Sequence, residues 1–444
     1  MRKVDLIVEG GRILHEGTFV DASIAVDDGR IVKIARKPGL PKADERVDAA
    51  GMYVIPGAID VHVHVRDLSQ KRSEDWRSAS EAAAAGGVTT ILAMPNTSPP
   101  ITTLTALNEY RKLAAKKSIV DYGVFIGATG RNGGEIAQAK DACGVKVYMG
   151  STTGELLVNS DEGLSSSFAS ANEAGKLACV HAEDEGRIRR RVAAVKRKGR
   201  EPSPEIHSVI RDVECARLAV EKAVKCARVV GNRLHVCHVS SKAELAVISE
   251  ARKGGVPVSC EVAPHHLFLS EKDYGGSSNR LKVNPPLRSR ADVSTLWGAL
   301  QGGFIDCVAS DHAPHPASEK DDEYWEAPAG FPGLETMLPL LLDSVVKGML
   351  ELPHVVRLVG GNPARLFGIK NKGAIAEGYD ADLVLVDFKG EWRVRGDGLK
   401  TKCGWSPFEG RTLRGVPHRT MVRGKTVCLD GQITANASRE ASFA

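Results

Sequence analysis

The stretch Asp60-Val61-His62-Val63-His64-Val65-Arg66 spaces two imidazoles and a guanidinium two residues apart. In an extended strand side chains alternate, so Asp60, His62, His64 and Arg66 share one face and the three valines share a buried outer face. Neutral imidazole is the commonest ligand for zinc-like ions, which makes a strand carrying His-x-His a candidate metal site. Lys146, His181, His238 and Asp311 each sit in or just beyond another short apolar run. Histidines plus a carboxylate form a ligand set for one or two divalent ions. Taken singly, each has a plainer reading: His181, after Ala178-Cys-Val, would pass for a hydrogen-bonded core histidine. Lys146, in Gly144-Val-Lys-Val-Tyr-Met-Gly150, is unusual because an ammonium cannot ligate a metal. A lysine deprotonated by burial beside cations can react with carbon dioxide to give a carbamate, whose two oxygens could bridge two ions. A strand-end lysine paired with an acidic neighbour is the simpler alternative on chemistry alone.

The elements that would position these residues alternate between strand-like and helical texture from Val54 to about Ile369. Strands are expected at Met52 to Val65, Thr89 to Ala93, Tyr122 to Ile126, Val145 to Tyr148, Ala178 to His181, Leu234 to His238, Val256 to Val262 and Cys307 to Ser310. Helix-compatible stretches follow them, Trp76 to Ala85 and Arg211 to Cys226 among them. Eight such units predict an α/β fold, a (β/α)₈ TIM barrel with its active site at the C-terminal ends of the strands. The candidate ligands then fall at the ends of the first, fourth, fifth, sixth and eighth strands. A doubly wound open sheet, the alternative, gives no reason for that recurrence.

Short alternating runs also occupy both ends of the chain: Val4-Asp-Leu-Ile-Val, Ala22-Ser-Ile-Ala-Val and Arg30-Ile-Val-Lys-Ile, then Ala381 to Asp387 and Thr420 to Val427. Each piece has too few strands to be stable alone, so one small β-sandwich-like domain built from both ends is expected. The expected division is 1–53 plus 370–430 for that domain, 54–369 for the barrel and 431–444 for a C-terminal tail.

With 444 residues, 42% apolar and 26% charged, the chain has the make-up of a globular enzyme rather than a disordered segment. A formal charge of +5 does not suggest nucleic-acid binding, and the apolar runs are too short to span a bilayer. The nine cysteines are scattered without a C-x-x-C pair, which reads as reduced thiols in a cytoplasmic protein. The basic run Arg187 to Arg200 lacks interleaved aromatics and is expected to be a solvated helix and loop.

Taken together, His62-x-His64, Lys146, His181, His238 and Asp311 with the split β-domain resemble the amidohydrolase superfamily over nearly the whole chain. His62-Val-His-Val-Arg66, Met94-Pro-Asn-Thr97, Asn284-Pro-Pro-Leu-Arg288 and Ser310-Asp-His-Ala-Pro-His315 narrow that resemblance to the dihydroorotase family. The resemblance implies two zinc ions bridged by a carboxylated Lys146, the more buried ion on His62 and His64 and the more exposed one on His181 and His238. It implies that Asp311 ligates the buried ion and shuttles the proton. It also implies that Arg66, Asn96 and His315 hold a substrate carboxylate and that Asn284 touches the substrate ring. The activity so implied is reversible hydrolysis of dihydroorotate in pyrimidine synthesis, on a small-molecule substrate, with no nucleic acid or membrane partner. A homo-oligomer or association with another enzyme of that pathway stays open. Some relatives use an aspartate in a Ser-Asp-Asp-Gly loop instead of the lysine; Asp161 in Ser160-Asp-Glu-Gly163 is read as a loop residue. Ser151-Thr-Thr-Gly154 resembles a loop that covers the substrate, although a mere connection has the same texture. Allantoinase or hydantoinase activity and a non-catalytic scaffold are the rival readings.

Overall fold

The computed structural model describes residues 3–36, 39–152, 154, 156–199, 202–275 and 279–444. Thr153 of the expected covering loop and Arg200 of the basic run lie outside the described residues.

Eight parallel strands form the barrel: β1 (Ala58–Val63), β2 (Val88–Ala93), β3 (Asp121–Val124, continued by Ile126–Gly127), β4 (Val145–Tyr148), β5 (Ala178–His181), β6 (Leu234–Val236), β7 (Val258–Val262) and β8 (Cys307–Val308). Their pairing runs β1 to β8 in order. A parallel bridge between Val63 and His312, with the His64 amide donating to the His312 carbonyl at 2.8 Å, joins the last strand to the first. Every strand residue is buried, as helices outside and packed side chains inside require. The helix Trp76–Ala85 shows how the outer layer is specified. Asp75 caps it reciprocally with Ser78, and Trp76, Ala79, Ala82 and Ala83 form one apolar stripe facing the strands.

Two expectations about the first strand change. The run from Met52 to Val65 is two strands in two sheets, because Gly57 lies between Tyr53–Pro56 and β1 and a Cβ there would overlap Thr89. Nor do the three valines share one face. The register of β1 slips against β2 between Asp60 and Val63. Val61 therefore packs with Ile59, Leu92, Phe125, Cys179 and Cys237, while Val63 and Val65 join the barrel–helix core.

Outside the barrel, a four-stranded sheet and a seven-stranded sheet lie against each other. Leu6, Val8, Ile24 and Val26 of the first meet Ile13, Val54, Leu383 and Met421 of the second in one apolar cluster. The seven-stranded sheet is joined across the whole chain, Tyr53–Pro56 pairing with Leu383–Val386. Beyond it, Gln432–Ile433 adds an edge strand, and Glu440 and Phe443 bridge to Tyr122 and Ile369. A buried charge cluster secures this junction: Lys372 pairs with Asp121 at 2.7 Å, Asp380 at 3.3 Å and Asp382, while Arg423 reaches Asp121 and Arg439 reaches Asp380.

Asp161 is not in a loop: it opens the helix Asp161–Glu173, is exposed and pairs with Lys222. In the basic run, Arg187 and Arg191 pair with Asp212 and Arg189 with Glu185 on or beside the helix Glu185–Arg197. All nine cysteines are free thiols, and among the described residues no helix is long and apolar enough to cross a membrane.

Candidate active site

The C-terminal ends of the strands surround a small pocket. His62, His64, Arg66, Asn96, Lys146, His181, His238, Asn284 and Asp311 all line it, with Tyr148, Thr152, Ala329 and Gly330. His315 stands one layer behind, its Nε2 3.4 Å from Arg66 Nη2. Arg66, His238 and Asp311 adopt left-handed backbone, with φ of 59°, 34° and 46°. Such conformations are costly for residues with a Cβ, and here they turn the chain at strand ends to bring side chains over the barrel mouth.

The ligand candidates meet at short range. Asp311 Oδ1 is 3.3 Å from His62 Nε2 and 3.2 Å from His64 Nε2. His181 Nδ1 faces His238 Nε2 at 3.0 Å. Lys146, fully buried, places Nζ 3.3 Å from His62 Nε2 and 3.1 Å from Cys237 Sγ. Burial holds all four rings below their ordinary pKa, His62 at about 4, and a neighbouring positive group adds to this. Neutral imidazoles are the metal-binding form. Burial likewise raises the Asp311 carboxyl.

What lies behind the ligands decides whether they fit a cation. The Nδ1–H of His62 donates to Glu261 Oε1 at 2.5 Å, the Nε2–H of His181 to Glu183 at 3.0 Å, and the Nδ1–H of His64 to Asn96 Oδ1 at 2.6 Å. Each acceptor fixes one tautomer and leaves the other ring nitrogen's lone pair turned toward the shared centre, the arrangement of a histidine with an outer hydrogen-bond partner. His62, His64 and Asp311 can thus converge on one ion. The donor set fits divalent metal.

Glu261 and Glu183 were not apparent from sequence. Glu261 also accepts from His235 Nε2 at 3.0 Å and from the His238 amide at 3.2 Å, so one carboxylate ties a His62 ring to the backbone of His238 across the site. Facing those donors, it stays ionised well below the ordinary range despite burial, which acts the other way. Burial pushes Glu183 up too, but Arg211 and His181 outweigh it and hold the carboxyl at about 2. Glu261→Gln offers one acceptor oxygen where two ring donors need one each. Its zinc affinity should fall about 10- to 100-fold, measured by competition with a chromogenic chelator, with the circular dichroism spectrum unchanged. Wild-type affinity would remove Glu261 from this role.

Asn96 is placed differently from a pure substrate contact, since its Oδ1 is committed to His64. Asn284 Oδ1 accepts from the Nε2–H of His207 at 2.9 Å and its Nδ2 donates to Thr152 Oγ1 at 3.2 Å, which fixes its amide at the cavity wall. Arg66 is the opposite case. It is buried, and its Nε and Nη1 have no hydrogen-bond partner among the described residues.

Residues 53–427 match the amidohydrolase family model. Dihydroorotases from Methanosarcina acetivorans and Pyrococcus abyssi are 37% and 40% identical, over 98% and 95% of this chain and 94% and 95% of theirs. Among solved structures, an L-hydantoinase (dihydropyrimidinase) from Arthrobacter aurescens superposes with a TM-score of 0.95 at 33% identity, over 99% of this chain and 100% of that one. With a barrel-mouth cluster of histidines, a buried lysine and an aspartate, and relatives that span its length, the chain belongs to the amidohydrolase family.

Proposed function

We propose that the protein catalyses the reversible hydrolysis of (S)-dihydroorotate to N-carbamoyl-L-aspartate, with two zinc ions bridged by a carboxylated Lys146. The observation that carries the reading is Arg66: a buried guanidinium whose Nε and Nη1 have no partner among the described residues, lining the same cavity as the metal candidates, is suited to a carboxylate on the substrate ring. The full-length relatives named dihydroorotase support the same choice.

In this reading His62, His64 and Asp311 would hold one ion and His181 and His238 the other, and Lys146, as the carbamate, would supply further oxygen ligands. Bound cations supply a water activated near neutral pH and polarise the amide carbonyl. Arg66 clamps the ring carboxylate, steadied by His315, and Asn284 positions the ring from the opposite wall. Water adds to the ring amide carbon, and Asp311 takes its proton. As the carbon–nitrogen bond breaks, Asp311 returns that proton to the departing nitrogen, leaving a ureido group and a carboxyl group whose remaining proton passes to solvent. Ring closure runs these steps backwards.

Purified protein should consume dihydroorotate, followed as loss of ring absorbance, lose that activity on chelation and regain it with zinc. Regain should be greater with bicarbonate than in carbon-dioxide-free buffer if Lys146 is carboxylated. The likeness to the L-hydantoinase favours a second reading, a hydantoin as the cyclic amide. Turnover of hydantoins with none of dihydroorotate would establish that instead. No bound metal would leave a non-catalytic scaffold.

A further inference from the structure

Two buried lysines outside the metal cluster have an arrangement that the chemistry so far does not use. Lys320, with no exposed surface, donates to the carbonyls of Lys282 at 2.9 Å, Pro328 at 2.7 Å and Gly330 at 2.9 Å. Three N–H donors meet three carbonyls, so the ammonium is fully satisfied. Lys282 donates to the carbonyls of Tyr324 at 2.5 Å and Ala327 at 2.6 Å, and its Nζ lies 4.4 Å from the centre of the Tyr324 ring. Its own carbonyl also accepts the Gly330 amide at 2.9 Å. Among the described residues neither ammonium forms an ion pair with a carboxylate.

A buried charge without a counter-ion is expensive and persists only where dipoles surround it. Here all five surrounding oxygens are backbone, four of them in the segment 324–330. That segment supplies Ala329 and Gly330 to the catalytic cavity. Lys282 is two residues before Asn284, and Lys320 closes the short helix Ala317–Lys320 that follows His315. Gly330, at φ 122°, leaves no room for adjustment, since a Cβ there would stand 2.7 Å from Ala313. The lysines therefore connect three cavity walls that share no strand.

We propose that Lys282 and Lys320 are positioning residues, two ammonium staples that hold the 324–330 segment against the Asn284 and His315 segments and so set the substrate-facing wall formed by Ala329 and Gly330. The proposal rests on the reading of this cavity as a cyclic-amide site. Burial lowers both amines, Lys282 to about 8, and nearby cations add to this, Arg211 at Lys282 and Lys282 at Lys320.

The test uses metal-loaded Lys320→Met and Lys282→Met, with Lys320→Gln and Lys282→Gln as milder variants that keep N–H donors should a methionine variant fail to fold. Hydrogen exchange across 324–331 should accelerate at least tenfold in the methionine variants while the barrel-strand peptides keep wild-type rates, with partial recovery in the glutamine variants. KM for dihydroorotate should rise about tenfold with kcat and bound zinc nearly unchanged. Wild-type exchange across 324–331 would overturn the staple whatever the substrate is. Faster exchange with unchanged KM would also overturn it, because the wall would then not matter to binding. If the wild type does not turn over dihydroorotate, the functional reading fails and the exchange measurement alone decides the staple.

Discussion

In Asp311→Asn, turnover of dihydroorotate should fall about 10³-fold or more while most of the zinc stays bound, measured by steady-state rates beside metal analysis of the same sample. The asparagine keeps the shape of the carboxylate and a ligating oxygen, so the His62 and His64 side of the site retains a third donor. What it cannot do is accept a proton and return it. Asp311 Oδ1 lies 3.2 to 3.3 Å from both rings, at the centre of the cluster, and among the described residues no other carboxylate lines the cavity. Glu261 and Glu183 stand behind the histidines, each engaged with ring or guanidinium donors. Loss of zinc in proportion to activity would make Asp311 a ligand only, and wild-type turnover would end its place in the mechanism.

Arg66→Met should raise KM by about 10²- to 10³-fold with a smaller change in kcat, because two charge-assisted hydrogen bonds to a carboxylate are together worth about 3 to 4 kcal/mol. The same substitution should leave the thermal midpoint of the metal-loaded protein unchanged or higher. In the free protein, Arg66 is a buried cation with two unsatisfied nitrogens on strained left-handed backbone, and methionine fills much of its volume without either desolvation cost. A KM within threefold of wild type would show that the substrate carboxylate is held elsewhere. A large drop in midpoint would make Arg66 structural.

The barrel strands were legible because a strand covered on both faces needs a continuous apolar run, and such runs with helices between them recur from Val88 to Val308. His62, His64, His181, His238, Lys146 and Asp311 stood out because polar groups at the ends of apolar runs are rare without a task. The outer acceptors did not, for a physical reason. Glu183 and Glu261 act by receiving the far N–H of a ligand histidine, and an acid near a strand end is too common to mark that role. Asn96 stood out only through its motif, which could not reveal that its Oδ1 faces His64 rather than open cavity. Asp161 sits in a plausible acidic loop motif, yet Ser160 caps a helix there and its carboxylate points to solvent. Val61 escaped because a bulge is a property of two strands, and one strand's alternation does not contain it.

The pairing of Tyr53–Pro56 with Leu383–Val386 bears on how the molecule reaches its fold. Arg12–His15 pairs with one edge of Tyr53–Pro56, but the other edge takes its partner from Leu383–Val386, and the whole barrel lies between those two. Closing so long a loop is slow, since its entropy cost must be met before the contacts form. The barrel's strand–helix units can associate locally, whereas the seven-stranded sheet must wait for its far half. Until that half arrives, the backbone edge at Tyr53–Pro56 is open to pairing with another chain, so refolding yield should depend on protein concentration through this edge before any other.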